Sequence, residues 1–216
     1  MTPRILTLTG PSCAGKSTLE KMLKEHGFAN VISTTTRPMR EGEVDGQSYY
    51  FVSREVFADI DGRGQFVESV EFNGNRYGIS VQEIERVAAM GKPIVVVVEP
   101  NGLEQLHHYA ADEGWTVVSV FVSNPLGVIG ERFLQRYTED LLKAVSTGTT
   151  DKVLDTYQKR IASLLDDELY WEGEIPVHYI DMWVQRFDAF NDQQVIREII
   201  QTLEDKSAIE DAGSAP

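Results

Sequence analysis

Gly10-Pro-Ser-Cys-Ala-Gly15-Lys16-Ser17 fills the pattern G-x-x-x-x-G-K-[ST] at every fixed position. The chemistry it points to is the cradling of phosphate. Glycines let a backbone wrap an anion closely with its N–H groups turned inward, and a helix beginning there adds partial positive charge. Gly10, Ser12, Cys13, Ala14, Gly15, Lys16, Ser17 and Thr18 are therefore expected to bind the phosphates of ATP. Lys16 would reach the β- and γ-phosphates, and Ser17 would hold Mg²⁺. Cys13 is the only cysteine; it reads as a small residue in a tight turn, since a lone thiol has no resolving partner.

Arginines gather in two further places, Arg37 with Arg40 and Arg132 with Arg136. Two guanidinium forks beside phenol O–H groups make a good cage for a dianionic phosphate. Arg132 and Arg136, four apart, share one face of a helix. The competing reading of each is an exposed, solvated charge. No Ser–His–Asp or Cys–His constellation is evident, and the four histidines lack metal-ligand spacing; the adjacent His107 and His108 read as solvated.

The phosphate loop needs a strand before it and a helix after it, and the sequence offers both. Residues 4–9 read as a buried strand, and Ser17 to Glu25 as a helix ended by Gly27. Residues 29–34 predict a second short strand, and 35–53 are turn-rich. Val81 to Met90 predicts a helix capped by Gly91. Ile94 to Val98 are five consecutive β-branched residues, suited to a parallel strand covered on both faces. Thr116–Val122 predicts another strand and Leu126 to Tyr137 a helix. Residues 138–151 are polar and loop-like. A helix from about Val153 to Tyr170, a strand near Val177–Ile180 and a helix from Asp192 to Leu203 complete the pattern. The small, polar tail 205–216 is expected to be disordered. Alternating strands and helices predict an α/β fold, three layers around a central parallel sheet.

The chain has 216 residues and a formal charge of −14. That length fits a single domain with a substantial core. The acidic balance argues against a nucleic-acid polymer as partner, which needs a basic stripe, but local arginine clusters can still attract a small anion. Without a long apolar run or a signal peptide, the expectation is a cytoplasmic chain with no membrane partner, monomeric or homodimeric.

Ser33-Thr-Thr-Thr-Arg37-Pro-Met-Arg40-Glu-Gly-Glu43-Val-Asp-Gly46-Gln-Ser-Tyr49-Tyr-Phe-Val resembles the guanylate kinase signature, as do Phe66-Val-Glu68, Gly74-Asn75-Arg-Tyr77-Gly78, Glu99-Pro-Asn-Gly102 and Glu131-Arg132-Phe-Leu-Gln-Arg136-Tyr-Thr. With the phosphate loop, the resemblance covers about residues 4–170. It implies a P-loop nucleoside-monophosphate kinase with a core (1–32, 92–125 and 175–204), a monophosphate-binding sub-domain (33–91) and a lid (126–174). The implied acceptor is GMP or dGMP, and the alternatives are a modified purine or another deoxynucleoside monophosphate. A non-catalytic, protein-binding relative is a third reading, opposed by the intact loop.

By position in the family's motifs, Arg37, Arg40, Tyr49 and Tyr77 hold the acceptor phosphate, while Ser33, Glu68 and Glu99 read guanine. Lys16, Arg37, Arg136 and Arg160 are the implied catalytic set, with Arg132 a third lid arginine. Two positions depart from the pattern. Ile79 stands where the family has a Ser or Thr hydroxyl that donates to the guanine carbonyl, with Ser80 next door as a substitute donor. Val97 replaces an Asp two residues before Glu99, so Glu99 serves the base, the metal's water shell, or both.

Overall fold

The computed structural model describes residues 2–40, 42–72, 74–173, 177–185 and 191–213. In chain order its elements are β1 (Arg4–Thr9), α1 (Lys16–Glu25), β2 (Ala29–Asn30), β3 (Thr34–Thr35), β4 (Tyr50–Phe51), α2 (Arg54–Gly62), β5 (Phe66–Phe72), β6 (Asn75–Ser80) and α3 (Val81–Ala88). There follow β7 (Ile94–Val97), α4 (Pro100–Glu113), β8 (Thr116–Ser123), α5 (Leu126–Thr147), α6 (Thr150–Gly173), a 3-10 turn (Val177–Tyr179), β9 (Met182–Gln185) and α7 (Asp192–Gly213).

Five strands form a parallel sheet in the order β2-β7-β1-β8-β9. Successive strand residues point to opposite faces, and both faces are covered. Leu6, Leu8, Val95 and Val118 pack with Leu19, Leu23, Ile196 and Ile199 of α1 and α7. Ile5, Ile94, Val96 and Val117 pack with Ile84, Val87, Leu103 and Leu106 of α3 and α4. This two-sided burial is why the run from Ile94 is uninterruptedly apolar. From β1 the chain passes to β2 on one side, and from β7 it crosses β1 to reach β8 on the other, so a crevice opens at the carboxyl end of β1, where ligands bind in such sheets.

A second sheet, β4-β3-β6-β5, lies beyond this edge. Buried Glu83 fastens it to the core: its carboxylate accepts from the Ile32 backbone at 3.0 Å and from Tyr50 Oη at 3.2 Å, and pairs with Arg86 at 2.8 Å. Residues 29–34, expected as one strand, are thus two, β2 and β3, one in each sheet.

Three other expectations are corrected. Residues 138–151 are helical through Thr147, because the α5–α6 hairpin has an interior of its own. Ala144 and Tyr157 are buried there, Phe133 and Tyr137 pack on the Tyr157 ring, and Tyr157 Oη donates to Asp140 at 2.7 Å. Gly148, with φ of 69°, ends α5. The tail is helical through Gly213, tied back where Lys206 meets Asp181 at 2.7 Å and Thr116 Oγ1 donates to Glu210 at 2.5 Å; residues 214–216 lie outside the described residues. The strand expected near Val177–Ile180 is the 3-10 turn, and the strand follows at Met182. Among the described residues no helix is long and apolar enough to cross a membrane.

His107 is not a solvated residue. Its ring stacks on Tyr179 and its Nε2 lies 2.7 Å from Ser119 Oγ, which already accepts from Thr7 at 2.8 Å. A neutral ring makes this bond in either tautomer, accepting at Nε2 or donating from it. Burial, reinforced by nearby Lys206 and opposed by Asp181, pushes the His107 pKa down to about 4. A folded pKa below the unfolded value of 6.5 means stability is complete above that pH and is lost as pH falls toward 4. Thermal unfolding across this range is expected to drop less steeply in His107→Gln than in the wild type; equal slopes would disprove the assignment.

Candidate functional site

The loop between β1 and α1 is shaped from behind. A Cβ on Gly10 (φ 138°) would stand 2.1 Å from the Val122 carbonyl oxygen, so only glycine lets the loop start this close to β8. Cys13 (φ 62°) and Gly15 (φ 107°) continue the turn with left-handed backbone. Asn124 Nδ2 holds the Ala14 carbonyl at 2.6 Å, and Arg132 donates to the carbonyls of Cys13 and Ala14 at 3.3 and 3.2 Å. Arg132, expected to face the transferred group, is thus also a brace for the loop. Lys16 Nζ donates to the Gly10 carbonyl and, at 3.0 Å, to that of Pro11.

Three cavities meet around this loop. The first, about 510 Å³, is walled by residues 11–18, Arg132, Arg136 and Asp192. The second, about 440 Å³, lies against the small sheet and takes in Ser17, Ser33, Tyr49, Glu68, Tyr77 and Glu99. The third, about 380 Å³, is lined by Ser12, Arg37, Arg40, Tyr77, Arg136 and Arg160. Shared walls join them: Ser12 and Arg136 belong to the first and third, Ser17 to the first and second, Tyr77 to the second and third. The two arginine clusters, far apart in sequence, therefore converge on one space.

Arg37 is 9 % exposed and forks onto Glu43 with contacts of 3.0 and 2.7 Å, its guanidinium 5.3 Å from the Tyr49 ring centroid. Burial works against its charge, but Glu43 outweighs it and the pKa ends above the ordinary value. Arg40 has its pKa lowered by burial and then by the like charges of Arg37 and Arg160. Such crowding of cations is relieved by an anion. Tyr49 and Tyr77 meet edge to face, with centroids 6.1 Å apart.

Glu43 escaped sequence reasoning, hidden as one acid in a polar loop. It orients Arg37, and Glu43→Gln is expected to raise the KM for an acceptor phosphate about tenfold, with a smaller change in kcat, as a misplaced positioning group does. A fall in KM would mean that Glu43 competes with the phosphate instead.

In the second cavity, Glu68 is 5 % exposed and its Oε2 has no hydrogen-bond partner. Burial and the nearby charge of Glu99 push its pKa up to about 8, against the pull of the Ile79 N–H. A buried polar atom without a partner costs about 1–3 kcal/mol, which a donor arriving in the cavity would recover. Two expected members of the site stand elsewhere. Ile79 is fully buried in the apolar cluster with Val67, Ile84 and Val98, since its strand position turns it to the core. Ser80 Oγ accepts the Glu83 N–H at 3.2 Å as the N-cap of α3, so it is engaged as a helix cap. Val97 lines the cavity beside Glu99. Among the described residues no group of three or more His, Cys, Asp or Glu is placed to hold a metal ion. The hydroxyl of Ser17, on the wall between two cavities, fits the cation of a phosphate complex, which keeps its waters and takes few protein ligands.

The guanylate kinase family model matches residues 2–164. The human guanylate kinase is 39 % identical over 155 residues, 69 % of this chain and 77 % of that protein. That of Sus scrofa is 41 % identical over 63 % of this chain and 69 % of its own length. For the guanylate kinase of Rhodopseudomonas palustris the figures are 42 %, 56 % and 54 %, so the match spans about half of that relative. A solved structure of guanylate kinase from Anaplasma phagocytophilum superposes with a TM-score of 0.61, covering 94 % of this chain and 85 % of that one. At 22 % identity this last likeness speaks for the fold alone.

Proposed function

The chain belongs to the guanylate kinase family, and from that premise we propose that it transfers the γ-phosphoryl group of ATP to a nucleoside monophosphate, GMP or dGMP. The observation that carries this reading is the third cavity. There Arg37, Arg40 and Tyr77 of the monophosphate-binding part face Ser12 of the phosphate loop and Arg136 and Arg160 of the helical hairpin.

In this reading ATP lies in the first cavity, with its phosphates on residues 12–18, and the acceptor base enters the second. Ser33, Glu68 and Glu99 offer acceptors to the N–H groups of guanine. Arg37, Arg40, Tyr49 and Tyr77 fix the acceptor phosphate. One of its oxygens attacks the γ-phosphorus, forming the new P–O bond as the bond to ADP breaks, with no covalent enzyme intermediate. Lys16, Arg136 and Arg160 neutralise charge spreading over the transferred group. Ser17 would hold Mg²⁺, which supplies further charge neutralisation when bound. The α5–α6 hairpin acts as the lid that excludes water.

A second reading keeps the reaction and changes the acceptor to a modified purine or another deoxynucleoside monophosphate. Ile79 favours it, having no hydroxyl at the position of the family's donor. Mg·ATP-dependent ADP release with a panel of ribo- and deoxyribonucleoside monophosphates separates the two. Turnover with GMP or dGMP supports the first; turnover confined to another monophosphate supports the second. No turnover at all defeats both and favours a binding role.

A further inference from the structure

Gly102 stands in the first turn of α4, three residues after Glu99. Its backbone is ordinary helix without positive φ, so its conformation does not demand glycine. Glycine is also a poor helix former. Its surroundings are unusual among the helical glycines: Gly62, Gly127 and Gly130 have nothing within 4 Å of a built Cβ. A Cβ on Gly102 would lie 2.5 Å from Glu68 Oε2 and 3.2 Å from its Cδ. The atom it meets is the buried, unpartnered oxygen of Glu68, a residue that lines the second cavity.

We propose that Gly102 is a positioning residue for base recognition: by withholding a Cβ it leaves the seat in which the Glu68 carboxylate stands at the cavity wall. The inference rests on reading that cavity as the base site. At Gly10 the obstacle is a backbone oxygen in a strand, and the fold cannot yield. At Gly102 the obstacle is the end of a side chain, so an added methyl moves the carboxylate and spares the helix. The first turn of α4 thus acts at both ends of the acid pair, offering Glu99 to the cavity and fixing the place of Glu68.

The test is a double-mutant cycle of Gly102→Ala with Glu68→Ala, assayed with Mg·ATP and either GMP or IMP, which lacks the exocyclic amine. Gly102→Ala is expected to raise the KM for GMP about tenfold, to leave the KM for ATP unchanged, and to narrow the preference for GMP over IMP. Its thermal unfolding midpoint should not fall. In the Glu68→Ala background the same substitution should add nothing. An unchanged KM and preference in the single variant, an equal effect in both backgrounds, or loss of fold would each overturn the proposal. If the wild type turns over neither nucleotide, the reading of the base site fails and takes this inference with it. Wild-type turnover with an insensitive Gly102→Ala defeats this inference alone.

Discussion

Lys16→Ala is expected to lower kcat about a thousandfold while leaving the fold intact, the upper end of what removing one donor to developing charge costs. The ammonium lies among the carbonyls of Gly10 and Pro11. In the proposed reading it meets the phosphate oxygens from this position. Alanine keeps the start of α1, where helix propensity favours it, so stability should change little. The substitution also removes a cation that the loop carbonyls use, which adds a rise in the KM for ATP. Steady-state kinetics with thermal unfolding in parallel read both effects. A kcat within tenfold of the wild type would mean that Lys16 does not meet the transferred phosphate, and the phosphate-loop reading would fall.

The loop was legible from sequence because its residue pattern is contiguous, even though the close approach that Gly10 answers to is to distant Val122. The central strands were legible for a different reason, since burial on both faces leaves a continuous apolar run from Ile94 and a largely apolar, β-rich one from Thr116. What escaped depends on distant partners. β3 and β4 are two residues each, too short to carry a period; β3 exists because β6 is beside it, and β4 because β3 is. The helical course of residues 138–147 depends on Tyr157, seventeen positions beyond Asp140. The tail is helical where Lys206 and Glu210 reach Asp181 and Thr116.

The site divides in the same way. Residue types and family spacing brought Arg37, Arg40, Tyr77, Arg136 and Arg160 forward, and the fold gathers them around one cavity. Ile79 and Ser80 were adjacent in the same motif, yet one turns into the core and the other caps a helix. A strand's alternation decides that, and its phase is fixed by pairing with β5, which carries a register shift between Phe66 and Glu68. Glu43 and Gly102 stand inside motif stretches, but the sequence assigned neither a role, because each acts only through the side chain it meets.

The three arginines of the α5–α6 hairpin stand in different places, and of their substitutions Arg136→Ala carries the largest expected effect. Arg136 is the one of the three that walls both the phosphate-loop cavity and the basic cavity, the position from which a guanidinium can follow a phosphoryl group from donor to acceptor. Its loss is expected to lower kcat about a thousandfold, the low end for an arginine that stabilises transferring phosphate, with KM values for both nucleotides changing only a few-fold. Arg160 reaches the basic cavity alone, its guanidinium 4.9 Å from the Tyr157 ring centroid; Arg160→Ala should therefore act on kcat less strongly. Arg132 holds the Cys13 and Ala14 carbonyls, so Arg132→Ala should loosen the loop and raise the KM for ATP as well as lowering kcat. Full kinetic constants for the three variants resolve the pattern. A kcat loss of equal size in all three, with KM untouched, would mean that the arginines act as one undivided field of charge.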